Sequence, residues 1–342
     1  AKGVERSDTL DVTGKISNGF GNFSASMYRA EIQQVFRPEP GDIALHIRDN
    51  FATHIRAGIA EPAASLGIGF LTRQRRTLPS DLANVLQLAG LTHIVVASGY
   101  NLTILVRFTR RFFAKISRFQ TMFFSSLLIL SFIAVTGLSP SMVRAGIVSG
   151  LALTAWYFGR KFHPITLIVL VAALTGLINP SYVWGDLGWQ LSFASFFGVM
   201  ILAPLLQNYF FGDKKPGTVR QVVGESVSAF ILTAPLILYS FGTISNVAII
   251  TNAIILPFVP LAMLLTFITG IASYIVPFAA HIIGWPAQFL LNSMIKVAET
   301  ITGVSWAQTE WQPSFFTTIM LYVVIVLIIL ALKKTTKLNL RD

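Results

Sequence analysis

The chain has 342 residues, 54% hydrophobic and 12% charged, with a net charge of +11 at pH 7. Soluble domains carry about 25% charged residues, so the composition excludes an ordinary water-soluble enzyme. There is no cysteine, which excludes disulfides and thiolate metal sites.

Residues 1–41 differ from the rest. Asp8–Ile16 and Ser24–Phe36 are β-compatible, and the turn-rich Ser17–Asn22 separates them. Two strands do not make an independently stable domain, and residue 1 is Ala. The expectation is therefore a segment of a longer protein. Pro38-Glu39-Pro40-Gly41 breaks the chain, and Ile43, Ile47, Phe51 and Ile55 then recur at spacing four. That periodicity predicts an amphipathic helix, packed on protein or lying at an interface. Thr72–Thr77 reads as a basic loop, and Pro79-Ser80-Asp81 starts a helix into Ala83–Leu91.

From residue 91 onward the pattern is that of a membrane protein. A helix needs about 20 apolar residues to span the hydrocarbon core. Nine crossings are expected, near 91–106, 121–138, 140–159, 164–180, 188–206, 222–241, 246–276, 281–302 and 315–332. Segment 246–276 is long and broken, either two spans or one span plus a re-entrant piece around Pro257 and Pro260. Residues 1–90 hold ten Lys/Arg against nine Asp/Glu, and residues 91–342 hold sixteen against six. Fourteen of those sixteen lie in Arg107–Arg118, Arg160–Lys161, Lys214–Arg220 and Lys333–Arg341. The intervening connections have no Lys or Arg. Basic connections mark the cytoplasmic side, which puts the C-terminus in the cytoplasm and residues 1–90 outside. The predicted architecture is an all-α polytopic membrane protein preceded by a short β segment. Residues 1–41 form the β segment, 42–90 an amphipathic helix and linker at the outer face, and 91–342 the membrane domain. Topology accounts for most of the pI of 10.1, so the charge is weak evidence about partners.

Polar groups at membrane depth are costly and tend to face a cavity or a partner. Arg144 follows Pro140 by four residues; it either snorkels from a helix end or lines a pore. Gln288, Asn292, Lys296 and Glu299 share one helical face, and Glu225, Ser228 and Thr233 roughly share another. His93 is five residues from Ser98, on a different face unless the helix breaks at Gly99. Nucleophilic catalysis needs a base within hydrogen-bond reach, so an intramembrane hydrolase ranks last. The five histidines are scattered and no Walker-type phosphate loop occurs. No metal or other cofactor is expected.

Several stretches together resemble the membrane channel domain of the ComEC family. They are Gly90-Leu91-Thr92-His93 running to Ser98-Gly99-Tyr100-Asn101, then Pro140-Ser141-Met142-Val143-Arg144-Ala145, then Asn179-Pro180 with Asp186-Leu187-Gly188-Trp189-Gln190-Leu191-Ser192-Phe193, and Asn246–Asn252 with Leu256-Pro257. They occur in family order over roughly residues 60–270. Many family members have His where this chain has Asn101. The resemblance implies an inner-membrane channel passing single-stranded DNA inward during natural transformation. Its partners would be that strand, membrane lipid, a cytoplasmic helicase-like ATPase and an outer DNA receptor. Residues 8–36 look like the tail of the family's OB-like domain, and the metallo-β-lactamase-like ligand cluster of full-length relatives is absent from these residues. The strand path would use Ser98, Gly99, Asn101, Arg144, Asp186, Gln190, Ser192 and Asn252, with Arg73, Arg75 and Arg76 gathering phosphates outside. Trp184, Trp189 and Phe193 are either base-stacking surfaces or belt and core residues. The competing class is a secondary transporter of a small solute, which also uses broken helices and midplane polar groups.

Overall fold

The computed structural model describes residues 9–18, 25–36, 43–72, 78–92, 102, 105–106, 109, 117–136, 140–160, 164–212 and 216–338. Strands β1 (Thr9–Asn18) and β2 (Ala25–Phe36) pair antiparallel from Thr9↔Phe36 to Asn18↔Ala25, as their β-rich composition predicts. Helices α1 (Ile43–Gly58), α2 (Ala63–Thr72) and α3 (Ser80–Leu88) follow. Next come α4 (Arg118–Thr136), α5 (Pro140–Tyr157), α6 (Pro164–Ile178), the short α7 (Ser181–Gly185) and α8 (Leu187–Phe197). A π-turn over Gly198–Leu202 carries α8 into α9 (Ala203–Phe211), and α10 spans Thr218–Phe241. The last part holds β3 (Thr243–Ser245), α11 (Ala248–Ile255), α12 (Val259–Ile275), α13 (Ala280–Thr302), β4 (Gln308–Glu310) and α14 (Phe315–Thr336).

Five of these runs are long and apolar enough to cross a membrane: Arg118–Thr136, Leu187–Phe211, Val219–Phe241, Ala248–Ile275 and Phe315–Thr336. The sequence pattern predicts nine, and the shortfall has local causes. Helix α6 has only 15 residues. Helix α5 carries Arg144, and α13 carries Lys296 and Glu299. Segment 91–106 lies mostly outside the described residues. The α14 run buries only 17% of its apolar window and exposes Val323, Val326, Leu327 and Leu330, as a lipid-facing helix does. Segment 246–276 is one helical run. Its two α pieces are joined by a 3₁₀ turn at Leu256–Phe258, and the residues flanking that turn keep right-handed helical backbone, so the chain direction does not reverse.

The largest core cluster joins α1, α2 and α3 to α11–α13. All ten residues of α2 are buried, and Ile55, Ile59, Ile68, Val259, Ala262 and Leu291 meet there. Close approach is made possible by glycine. A Cβ on Gly284 of α13 would overlap the Gly58 carbonyl oxygen and lie 3.0 Å from Thr269 Cγ2. A second cluster packs α4 on α5 through Ile129, Phe132, Met142, Ala145 and Leu153. A third joins the π-turn and α9 to α10 and α14 through Leu202, Leu205, Leu232 and Ile329. Pro235 inside α10 removes a helical N–H, and Tyr322 of α14 donates its hydroxyl to the nearby Leu232 carbonyl at 3.0 Å. At one end of the bundle β3 pairs antiparallel with β4, and Asn246 Nδ2 ties their turns by donating to the Trp306 carbonyl at 2.8 Å.

The packing sets a paired prediction. Gly284→Ala places a methyl against backbone that cannot retreat, costing about 1–3 kcal/mol. Gly224→Ala lies within α10 with nothing within 4 Å of the new atom, and removing a helix glycine there stabilises by roughly 0.5–1 kcal/mol. Thermal unfolding of the detergent-solubilised protein should therefore move down for the first and up for the second. Equal midpoints would refute the close-packing account.

Candidate functional site

Three of the residues that the sequence pattern singles out, Arg144, Asp186 and Gln190, meet at one place, the connection between α6 and α8. Asn179 and Pro180 turn the chain out of α6. The Asn179 side-chain oxygen accepts from the Ser181 N–H at 3.1 Å and from the Ser181 hydroxyl at 2.7 Å, the local bond that makes Asn a turn residue. Asp186 then caps α8: its Oδ1 accepts the Gly188 N–H at 2.8 Å. Gln190 reaches back to donate to the Val183 carbonyl at 3.0 Å, and Trp189 Nε1 donates to Thr175 Oγ1 of α6 at 3.0 Å. Polar side chains close this connection onto itself.

Arg144 enters from α5, one turn past Pro140. It is 2% exposed, the largest fully buried side chain among the described residues. Its Nη2 donates to the Gly188 carbonyl at 2.9 Å, and its Nη1 lies 4.0 Å from Asp186 Oδ2. Its Nε is buried without a partner. Arg144 therefore neither snorkels to a surface nor stands free; it clamps α5 onto the start of α8.

Magnitudes show why both contacts are needed. A 4.0 Å pair gains roughly 4 kcal/mol at an effective dielectric of about 20. Removing an ion from water costs several kcal/mol. The Asp186 side chain is 27% exposed, so screening reduces the gain further. The Gly188 bond supplies part of the difference, since hydrogen bonds to charged groups contribute about 1.5–3 kcal/mol. A positive charge answered by one distant, half-open carboxylate still projects positive potential into its surroundings. Such an arrangement can hold a loop, and it can attract a passing anion.

The other predicted residues divide cleanly. Ser192 is half-buried on α8, two residues beyond Gln190. Asn252 is 3% exposed on α11, with its Oδ1 unpartnered, and no described hydrogen bond links it to the Arg144 cluster. Ser98, Gly99, Asn101, Arg73, Arg75 and Arg76 lie outside the described residues, as does His93. Trp189 and Phe193 sit together, ring centroids 4.5 Å apart, with Phe193 8% exposed against Val171, so they are core. Trp184 is 88% exposed. On α13, Asn292, Lys296 and Glu299 are exposed, whereas Gln288 turns inward to accept the Ala60 N–H.

That last bond belongs to a joint which sequence reasoning passed over. Between α1 and α2 the helix breaks at Ile59–Pro62. Glu61 bridges the break, accepting from Arg56 Nε and from the Ser65 N–H, each at 3.0 Å. The available signal was Glu61-Pro62 placed just before ten apolar or small residues, a helix-start pattern. Among the described residues no group of three or more His, Asp or Glu is arranged to hold a metal.

The clamp sets an order of stabilities. Asp186→Ala removes both the charge and the cap, whereas Asp186→Asn keeps an oxygen for the Gly188 N–H and should lose about 1 kcal/mol less. Arg144→Ala removes a charge-assisted bond to the Gly188 carbonyl, which keeps its donor within α8, a cost of about 1.5–3 kcal/mol. Thermal unfolding in detergent reads all three; a less stable Asn variant than Ala variant would contradict the capping geometry.

A family model described as Competence protein matches residues 70–336. ComE operon protein 3 of Bacillus subtilis (strain 168) is 26% identical over 216 residues, 61% of this chain and 27% of that protein. An uncharacterized protein of Aquifex aeolicus (strain VF5) is 21% identical over 265 residues, 76% of this chain and 59% of that protein. The chain thus spans less than two thirds of the length of either relative. No solved structure matches it.

Proposed function

This chain belongs to the competence protein family, and from that premise we propose that it is the inner-membrane channel through which single-stranded DNA enters the cytoplasm during natural transformation. The observation that carries the reading is the Arg144 clamp. A guanidinium 2% exposed in an apolar bundle, with one distant carboxylate among the described residues, is the arrangement expected beside the path of a polyanion. Intramembrane charges are expensive and mark substrate pathways more often than packing needs.

In this reading Asp186 and Gln190 shape the connection, and Arg144 holds it against α5 while biasing the local potential positive. Phosphates then pass a fixed positive element without being trapped by it, since its best donor is already committed to the Gly188 carbonyl. Arg73, Arg75 and Arg76 gather the strand on the outer side, and the basic connections face the cytoplasm. The chain's role is passive guidance; a cytoplasmic helicase-like ATPase pulls the strand, and an outer receptor delivers it.

The test is uptake in a transformable host producing the full-length protein. Arg144→Ala should lower internalised DNA at least about tenfold, the effect of losing roughly 1.4 kcal/mol at one step, while surface-bound DNA and protein level stay unchanged. Arg144→Lys keeps the charge but not the planar fork, so it should recover only part of the loss. Normal transformation by the alanine variant would overturn the reading.

A further inference from the structure

Three helix ends meet at one edge of the bundle. Tyr239 of α10 lies against Phe315 of α14, ring centroids 6.2 Å apart, and Leu232 is bonded by Tyr322. The two helices are therefore antiparallel, and their register is fixed. Arg220 lies twelve residues before Leu232 and Lys334 twelve beyond Tyr322. Both displacements are about 18 Å, which brings Arg220 and Lys334 to one level. The end of α9 joins them there. Leu205 and Leu206 share a cluster with Leu332 and Leu338, and the Arg220 guanidinium lies 4.5 Å over the Phe211 ring. The Gln207 amide, turned so that its oxygen faces Arg220, accepts from Nε at 3.1 Å and from Nη2 at 3.2 Å. A half-buried arginine is thus held in one orientation.

Apolar surface gives way to charge at this level. From Phe315 to Leu332 α14 carries no Asp, Glu, Lys or Arg, a length of about 27 Å. That matches the roughly 30 Å hydrocarbon core. Lys333 and Lys334 follow at once, then Lys337, all exposed. Tyr209, Phe210 and Phe211 close α9, each at least half exposed, and aromatic rings gather at the membrane–water boundary. The one acid on α9, α10 and α14 is Glu225, five residues into α10 from Arg220, where Gln221 donates to it at 2.8 Å. Such a rim attracts anions, and its neighbour selects among them. The outward surface of α14, with Leu327, Ile328 and Leu330 exposed, runs straight up to Lys333. An anion that arrives with apolar surface attached fits both parts. Basic clusters beside a membrane helix bind anionic lipid headgroups in this way.

We infer that Arg220, Lys333 and Lys334, with Phe210 and Phe211 beside them, bind the phosphate headgroup of an anionic phospholipid whose acyl chains lie along α14. Arg220 offers the phosphate a planar set of donors, and the lysines add charge without fixed geometry. Gln207 and Phe211 orient the guanidinium in advance, which lowers the cost of binding. Nothing at this rim depends on what the bundle transports.

Competition between two lipids tests this. The detergent-solubilised full-length protein is given equal amounts of dioleoylphosphatidylglycerol and dioleoylphosphatidylcholine, and native mass spectrometry reads which one it retains. The acyl chains are identical, so the ratio reports the headgroup. Phosphatidylglycerol should be retained at least about tenfold in excess. Each Lys or Arg near a membrane surface is worth about fivefold, so Arg220→Gln should lower that ratio about fivefold. Adding Lys333→Gln and Lys334→Gln should bring it close to one. Lys296→Gln, which removes an exposed charge from α13 instead, should leave it unchanged. Equal retention of the two lipids, or the same fall for Lys296→Gln as for Arg220→Gln, overturns the site. Excess inorganic phosphate and a single-stranded oligonucleotide should each leave the lipid bound. Displacement by phosphate would assign the rim to a free anion, and displacement by the oligonucleotide to nucleic acid; either result overturns the lipid site. If Arg220→Gln does not fold, the exposed pair Lys333→Gln and Lys334→Gln carries the same measurement.

Discussion

A guanidinium inside an apolar helix bundle must be answered by something, and here the answer is a backbone carbonyl. The bond from Arg144 to Gly188 fixes where α5 meets α8. It makes the Asp186 cap useful, because the same carboxylate that starts α8 also offers the guanidinium its counter-charge. Trp189 and Gln190, on the first turn of α8, then lock α8 to α6 and to the short helix before it. Removing Asp186 leaves the buried Arg144 guanidinium without its counter-charge, which costs more than the pair itself contributes.

The same rule shapes the rest of the bundle. Where α1 gives way to α2, Glu61 and Gln288 take up the freed amides. Irregular backbone in this protein is held by side chains from elements distant in sequence. Both charged features, the clamp and the joint, sit in helices that pack inward, whereas α14 presents its apolar surface outward.

How much of this was legible in the sequence depended on the kind of partner involved. The β hairpin was legible because Val, Ile and Tyr flank an Asn-Gly-rich turn, and the alternation of basic connections marked the apolar runs. Arg144, Asp186 and Gln190 were legible as residues of interest, and two of them are in direct electrostatic reach. The partner that matters most to Arg144 was not legible, since a carbonyl oxygen exists at every position and leaves no residue signature. The burial of α2 was not legible for a related reason. Ala63–Thr72 is too short to read as a span, and its neighbours Arg56 and Glu61 make the stretch look like a surface linker. Yet all ten residues of α2 are buried, because α1 and α2 together follow α12 and α13. The count of crossings drifted for another reason: segments were read as spans on apolar length, although α5 carries Arg144 into the core and α6 has only 15 residues.

The claim at the centre of the account is that the connection from Asn179 to Gln190 frames the route of incoming DNA. Trp184 projects from it, 88% exposed. A photoreactive phenylalanine analogue placed at position 184 of the full-length protein, irradiated while cells take up labelled DNA, reads this directly. The account predicts a covalent adduct with the single strand that appears only during uptake. Adducts confined to lipid or protein, with DNA passing normally, would contradict it.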